Sequence, residues 1–250
     1  DQGPMGGFSP PTGSSSNLDK LLPAWGINFT ANRVVADATS ALRPPQSGAS
    51  WPTALDIQTE GHNGNDPILQ QLGPLAGIHF GAFRQETAQD KGPRPIVTTL
   101  LHSTTNSALI EASLTKGLLP LPSFQQSQAA ITKTFKASSG TNILALKLTG
   151  GFKTAFPKGD PERPEPSRDE NSTQPEIPDN ALKTAKKDTN PVVVLVGDVD
   201  FLHDTNQQLD QFRGYRNSNM NFVLNLVDYL TGDEDLIRIR SLTNRSRPLK

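Results

Sequence analysis

The chain has 250 residues, of which 34% are hydrophobic, and it contains 20 glycines and 21 prolines. That length can bury a substantial core, but so many helix- and strand-breaking residues predict that loops occupy much of it. The 24 Lys and Arg residues balance 25 Asp and Glu residues to a formal charge of -1, which argues against nucleic-acid binding because no broad basic surface is available.

The first half of the chain contains short predicted elements separated by polar loops. Residues 1–17 are rich in Gly, Pro and Ser and predict a flexible segment. Apolar residues at helical spacing predict a short helix at 18–25, which Gly26 ends. The other predicted elements are strands at 33–37, 54–57, 78–83 and 95–101, a helical start at 66–72 and a helical turn at 108–112.

A strand at 142–149 is followed by the least foldable part of the chain. Residues 157–190 are crowded with Pro and charged residues, and we interpret them as a largely disordered excursion. The alternative is an arm that becomes ordered when it binds a partner.

The last sixty residues have the strongest patterns. The β-branched run at 191–197 predicts a strand buried on both faces at the centre of a parallel sheet. A helix is predicted at 219–230, with an apolar stripe that should face this sheet; its members are Met220, Val223, Leu224, Val227 and Leu230. Residues 235–240 alternate Leu or Ile with Arg and predict an edge strand.

Several segments, taken in order, carry a resemblance to a known family. They are 192–202 (VVVLVGDVDFL), 221–225, 228–236 and 238–240, with weaker similarity at 18–26, 34–37 and 146–156. This order resembles the GldG-like auxiliary component of an ABC-type transport system associated with gliding motility. The resemblance spans most of the chain, strongly at the C-terminus and weakly between Leu42 and Ser138.

The resemblance implies both a fold and a role. The fold is a three-layer α/β domain with a mostly parallel sheet, in a glutamine-amidotransferase-like or flavodoxin-like layout that is incomplete at its N-terminus. We therefore expect residues 18–250 to form a single α/β domain with long irregular loops. The implied role is non-catalytic: a periplasmic binding or scaffolding domain beside the permease and ATPase subunits, anchored by membrane segments outside this stretch.

Four polar side chains follow the predicted strand at 191–197: Asp198, Asp200, His203 and Asp204. This turn should lie at the carboxyl edge of the sheet, where open α/β sheets bind ligands. Its carboxylates and imidazole suit a divalent cation or a ligand's hydroxyls. The alternative is structural: the first two Asp residues bond backbone amides, and Asp204 or the next residue caps a helix. The sequence favours the structural interpretation because no further cation ligand is identifiable, and it predicts no metal and no cofactor.

Other chemistry-bearing residues form no catalytic pattern. His102 stands beside Ser103, but without a Gly-x-Ser-x-Gly elbow the loop 102–107 is interpreted as a polar turn. His62 and His79 are isolated in sequence, and we expect each to be a surface or packing residue. Cysteine nucleophiles are excluded because the chain has no cysteine. No phosphate-binding glycine loop is present, so the ATPase is expected to be another subunit.

Two alternative functions stay open from the sequence. One is an envelope carbohydrate- or polymer-binding domain, and the other is a hydrolase-like enzyme that uses the turn at 198–204. The basic C-terminal residues after 237 either face lipid headgroups or an acidic partner, or protect an edge strand from aggregation. No apolar run approaches the roughly 20 residues of a spanning helix, so we expect this stretch to be a soluble piece of a longer, anchored protein.

Overall fold

The computed structural model describes residues 18–45, 48–86, 94–117, 121–138, 140–153, 155, 191–204, 206, 209–232 and 237. The predicted flexible segment at 1–17 and the predicted excursion at 157–190 lie outside these residues, so the domain division stays a prediction. Of the predicted strand at 235–240 only Ile237 is described, and it is buried with helical rather than extended backbone. None of the helices in the described ranges is long and apolar enough to cross a membrane.

Strands outnumber helices in the described part of the chain. The strands are β1 (Ile27–Phe29), β2 (Arg33–Asp37), β3 (Ala41–Leu42), β4 (Trp51–Ile57), β5 (Leu75–Ile78), β6 (Phe83–Gln85), β7 (Pro95–His102), β8 (Ser107–Glu111), β9 (Ile143–Gly150) and β10 (Val192–Val196). The α-helices are α1 (Leu21–Ala24), α2 (Leu121–Thr134), α3 (Asp210–Arg213) and α4 (Asn219–Thr231). Single 3₁₀ turns lie at Thr59–Gly61, Pro67–Leu69 and Ala112–Leu114.

Most of the strands predicted before residue 150 are present. The predictions at 33–37, 54–57, 95–101 and 142–149 are confirmed by β2, β4, β7 and β9. Two predictions are wrong: residues 108–112 lie mostly in β8, and residues 78–83 mainly connect β5 to β6. Short apolar runs do not distinguish helix from strand, and here the pairing of β8 along all of β2 decides the conformation.

The largest sheet is built around β9. One edge of β9 pairs with β7, and the other pairs with β10 and, at Ile143, with β6, which in turn pairs with β1. A three-stranded sheet has the order β3-β4-β5, and β2 pairs with β8. Every pair among these strands is antiparallel.

The strand predicted at 191–197 is present, but its neighbours differ from the prediction. β10 is antiparallel to β9, its side chains are half-buried, and β9 is the central strand of the described sheet. Leu144, Leu146 and Leu148 of β9 are fully buried. A β-branched apolar run indicates a strand with apolar neighbours on both faces, but its direction depends on which strand lies beside it. The three-layer, mostly parallel class stays a prediction.

The helix predicted at 219–230 is confirmed by α4, but its predicted stripe mostly faces away from the core. Phe222 and Tyr229 pack into the main core cluster, together with Val223 from the stripe. The remaining stripe members are 42–53% exposed: Met220, Leu224, Val227 and Leu230. The helix is apolar on nearly all sides, so hydrophobicity does not fix its rotation. The rotation of the helix is fixed by two buried side-chain amides, because Asn219 and Asn225 bond backbone groups beneath it.

A buried ion pair joins β9 to the turn at Pro67–Leu69 and to α4. Lys147 Nζ donates to Asp66 Oδ2, and both side chains are at least nine-tenths buried. Asp66 also caps the 3₁₀ turn by accepting from the Ile68 N–H at 3.2 Å, while the Lys147 ammonium lies 4.7 Å from the centroid of the Tyr229 ring. Burial alone lowers the pKa of Lys147, but the hydrogen bond and charge of Asp66 outweigh it and raise that pKa.

We expect Lys147→Met to destabilise the protein by about 3–5 kcal/mol, because it leaves the Asp66 carboxylate buried without a cation. Adding Asp66→Asn should recover part of this loss, since it removes the charge and keeps an acceptor for the Ile68 N–H. Chemical denaturation of the two single variants and the double variant measures the coupling. If the loss of stability in the double variant equalled the sum of the two single losses, the two side chains would not be coupled, which would contradict the buried ion pair.

Candidate functional site

The turn that follows β10 begins at Gly197, which is held between two neighbouring segments. Its N–H donates to the Leu144 carbonyl at 2.9 Å, and its carbonyl accepts from the Gly81 N–H at 2.7 Å. A Cβ at Gly197 would lie 2.5 Å from the Gly81 carbonyl oxygen, a backbone atom that cannot rotate away. Position 197 therefore requires glycine, and the turn starts from a fixed place.

Asp198 is buried and binds backbone on both sides. Its Oδ2 accepts from the Ile78 N–H at 3.1 Å, and its Oδ1 accepts from the Asp200 N–H at 2.8 Å. A Cβ at Gly77 would lie 2.5 Å from Oδ2, so glycine at that position lets the carboxylate approach β5. Burial raises the pKa of Asp198 to about 7; the backbone hydrogen bonds oppose this rise, and the charge of Asp200 adds to it.

The side chains of the other predicted site residues are not buried with this carboxylate, although the backbone N–H of Asp200 bonds it. Asp200, His203 and Asp204 are exposed, and the Asp200 carbonyl accepts from the His203 N–H at 2.8 Å. Within the described ranges, His, Asp and Glu side chains form no group of three that is arranged to hold a metal ion. The buried carboxylate thus has the structural role that the sequence favours for it, and ligand binding by the turn stays a prediction.

His79, which looks isolated in sequence, lies near this turn. Burial lowers the pKa of His79 to about 4, although the charge of Asp200 opposes that shift. Its φ of 63° is a left-handed backbone conformation that is uncommon for histidine, and the imidazole Nε2 is buried without a hydrogen-bond partner among the described residues. The sequence does not predict this arrangement of His79, because its left-handed backbone and its proximity to Asp200 both arise from tertiary contacts.

A groove of about 910 Å³ lies beside the turn. Its walls come from residues 71–73, from residues 201–203 and from residues 216–221 at the N-terminal end of α4, with Asn206 and Asp210 between them. The lining mixes amide and hydroxyl side chains with apolar side chains and with the charged residues Asp210 and Arg216. Such a surface can contact both polar and apolar groups. Of the predicted site residues, only His203 lines the groove.

Asn219 ties this groove to β5. Its Oδ1 accepts from the Ala76 N–H at 2.9 Å, and its Nδ2 donates at 2.7 Å to the carbonyls of both Ala76 and Phe201. The sequence contains one clue to this role: the three asparagines of α4 stand among mostly apolar residues, so each must either face solvent or find a buried partner.

The serine next to His102 is engaged in a turn. Ser103 Oγ lies 2.7 Å from Ser107 Oγ and accepts from the Asn142 N–H at 2.8 Å. His102 Nδ1 lies 2.9 Å from the carbonyl oxygen of Ser103 rather than beside its hydroxyl. These atoms are therefore not arranged as a nucleophile with its base.

We expect the stability advantage of the wild type over Asp198→Asn to shrink as the pH rises from 4 to 7. The pKa of the Asp198 carboxyl is about 7 in the folded protein and 3.8 ordinarily, so the folded state holds this proton more tightly than the unfolded state does. Between pH 4 and 7 the unfolded state loses the proton first, and the free energy of unfolding therefore falls as the pH rises. His79, whose pKa is lowered, contributes the opposite slope, so the wild type and variant must be compared at each pH. Urea unfolding gives the comparison, and a pH-independent difference would contradict the buried carboxyl.

We expect Asn219→Ala to cost about 3 kcal/mol, because it leaves buried backbone groups of Ala76 and Phe201 without partners. The matched control is Asn221→Ala, two residues along the same helix on the groove wall, which should change stability by less than about 0.5 kcal/mol. Equal losses in the two variants, measured by chemical denaturation, would show that the Asn219 hydrogen bonds are not what holds the helix.

Comparison with known proteins identifies the family. A family model described as an ABC-type uncharacterized transport system matches residues 1–226, which include the turn and the groove. No match to the chain is found among curated proteins or among solved structures. The family match confirms the resemblance at the level of an auxiliary transport component. The chain therefore belongs to the family of auxiliary components of ABC-type transport systems.

Proposed function

We propose that this chain is the extracytoplasmic domain of a GldG-like, gliding-motility-type auxiliary subunit, a non-catalytic binding or scaffolding domain that acts beside the permease and ATPase subunits. The observation that carries the proposal is the family match over residues 1–226. The resemblance of segments 192–202 and 221–225 adds the narrower assignment to the gliding-motility type. The same resemblance supports a periplasmic location, with the membrane anchor outside this stretch.

The role of Asp198 supports binding rather than catalysis. Each of its carboxylate oxygens accepts a backbone N–H, and the side chain joins the turn to β5. A general acid or a metal ligand must be reached by its substrate or ion, and the Asp198 carboxyl group is buried between the turn and β5. Ser103 is engaged in the same way by Ser107 and Asn142.

The groove supplies a surface suited to binding. Ser218 and Asn221 bring a hydroxyl and an amide to its wall, and Arg216 adds a cation. Side chains of this kind suit polar and acidic groups on the surface of a protein partner.

The proposal predicts that the tagged full-length protein, extracted from its own membranes in a mild detergent, co-purifies with a permease and an ATPase subunit. We expect both subunits to be enriched at least about tenfold over the same tag on an unrelated membrane protein. A difference of about 1.4 kcal/mol in binding free energy already corresponds to a tenfold difference in affinity. Mass spectrometry of the eluate is the measurement.

Two results would contradict the proposal. One is the absence of both subunits from the eluate, when the tagged protein is recovered intact and folded. The other is turnover of ATP or of a hydrolase substrate by the purified domain alone, provided that Asp198→Asn abolishes it, because a structural carboxylate would not control catalysis.

A further inference from the structure

The outward face of α4 carries apolar side chains. Met220, Leu224, Val227 and Leu230 are 53%, 42%, 52% and 50% exposed, and their spacing of four, three and three residues places them on one side of the helix. At 1.5 Å per residue this apolar stripe runs for roughly 15 Å. Exposed apolar side chains in a continuous row, rather than scattered singly, mark an interaction surface.

The inward face of the same helix is already packed. Phe222, Val223 and Tyr229 contact the main core, and Asn219 and Asn225 bond backbone beneath the helix. The only charged residue within α4 is Asp228. A helix that is apolar on opposite faces is typical of one packed between two layers, and the described residues supply only the inner layer.

The apolar stripe is continuous with the groove. Met220 lines the groove together with Leu202, which is itself 45% exposed, and Arg216 is exposed in the same wall. Asp210 in the same lining is paired with Arg213, and the N-terminal end of a helix carries partial positive charge, so Arg216 leaves the groove end of the stripe positive. A partner helix that lies antiparallel to α4 would bring its negative C-terminal end to Arg216.

The size of the stripe favours a single helix over a second copy of this chain. Five side chains that are each about half exposed offer roughly 400 Å², which is about half of what each partner buries in a stable interface. Two copies packed stripe to stripe would therefore bury too little. A helix of another subunit that lies along the stripe and ends in the groove adds the groove walls to the contact.

We propose that the apolar stripe of α4 and the adjoining end of the groove bind an apolar-faced α-helix of another subunit of the transport system. The helix lies antiparallel to α4, with an acidic C-terminal turn beside Arg216. This inference rests on the proposed function, and it names the surface through which that function operates.

Cross-linking from single cysteines tests the contact directly, because the chain itself contains no cysteine. In the full-length protein, with any cysteine outside this stretch replaced by serine, Val227→Cys is labelled with a benzophenone maleimide and irradiated in membranes that contain the transport subunits. Leu114→Cys is the matched control, since Leu114 is 56% exposed and lies in a 3₁₀ turn. We expect a cross-link to another transport subunit from position 227 and none from position 114.

Co-purification gives a second measurement that does not depend on labelling. The double variant Leu224→Asp/Val227→Asp should recover about tenfold less of the bound subunit, whereas Leu114→Asp should recover as much as the wild type. Arg216→Glu should also lower recovery, because it reverses the charge at the groove. Circular dichroism and thermal unfolding confirm that the variants are folded, as expected for substitutions at exposed positions.

The outcomes separate this inference from the function on which it rests. If the wild type co-purifies with its subunits and the double variant does so equally well, the stripe is not the interface, and the proposed function survives. A cross-link from position 227 to a second copy of the chain also overturns the inference. If the wild type recovers no subunit at all, both proposals fail.

Discussion

The outer edge of β5 is paired by side chains rather than by another strand. On its inner edge β5 pairs with β4, and on its outer edge Asn219 bonds both the N–H and the carbonyl of Ala76, while Asp198 bonds the N–H of Ile78. An open strand edge otherwise leaves polar backbone groups buried without partners, which costs free energy, or exposed to another chain. Asn219 and Asp198 give hydrogen-bond partners to these outward-facing backbone groups of β5. They also join the three-stranded sheet to the end of β10 and to α4.

This edge determines what the acidic turn can do. The sequence predicts the turn at the sheet edge where open α/β sheets bind ligands but favours a structural role for it, and the Asp198 carboxylate is directed at the backbone of β5 and buried. The side chains of Asp200, His203 and Asp204 are exposed. The groove forms beside the turn because Asn219 holds the start of α4 against Phe201. The groove beside the turn is therefore a consequence of how this edge is bonded.

The same anchoring fixes which side of α4 faces outward. With Asn219 and Asn225 both directed at backbone beneath the helix, Phe222 packs inward, and Leu224 and Val227 face outward. An exposed apolar face lowers solubility unless another surface covers it. Because the chain belongs to a family of transport components, other components of the same transport system are the candidates for that covering surface. The polar groove and the apolar stripe then meet at Met220, so a partner can use both.

The sequence by itself determined the family, the strands with clear β-branched runs and the position of α4. The ordered segments near the C-terminus carry the family resemblance, and β2, β7 and β9 lie where their patterns predict, because burial of alternating or continuous apolar residues is a local property. Strand direction was decided only by the tertiary structure, since the apolar run of β10 reads the same whether its neighbour is parallel or antiparallel. The tertiary structure also decided the rotation of α4 and the approach of His79 to Asp200, because both depend on residues distant in sequence.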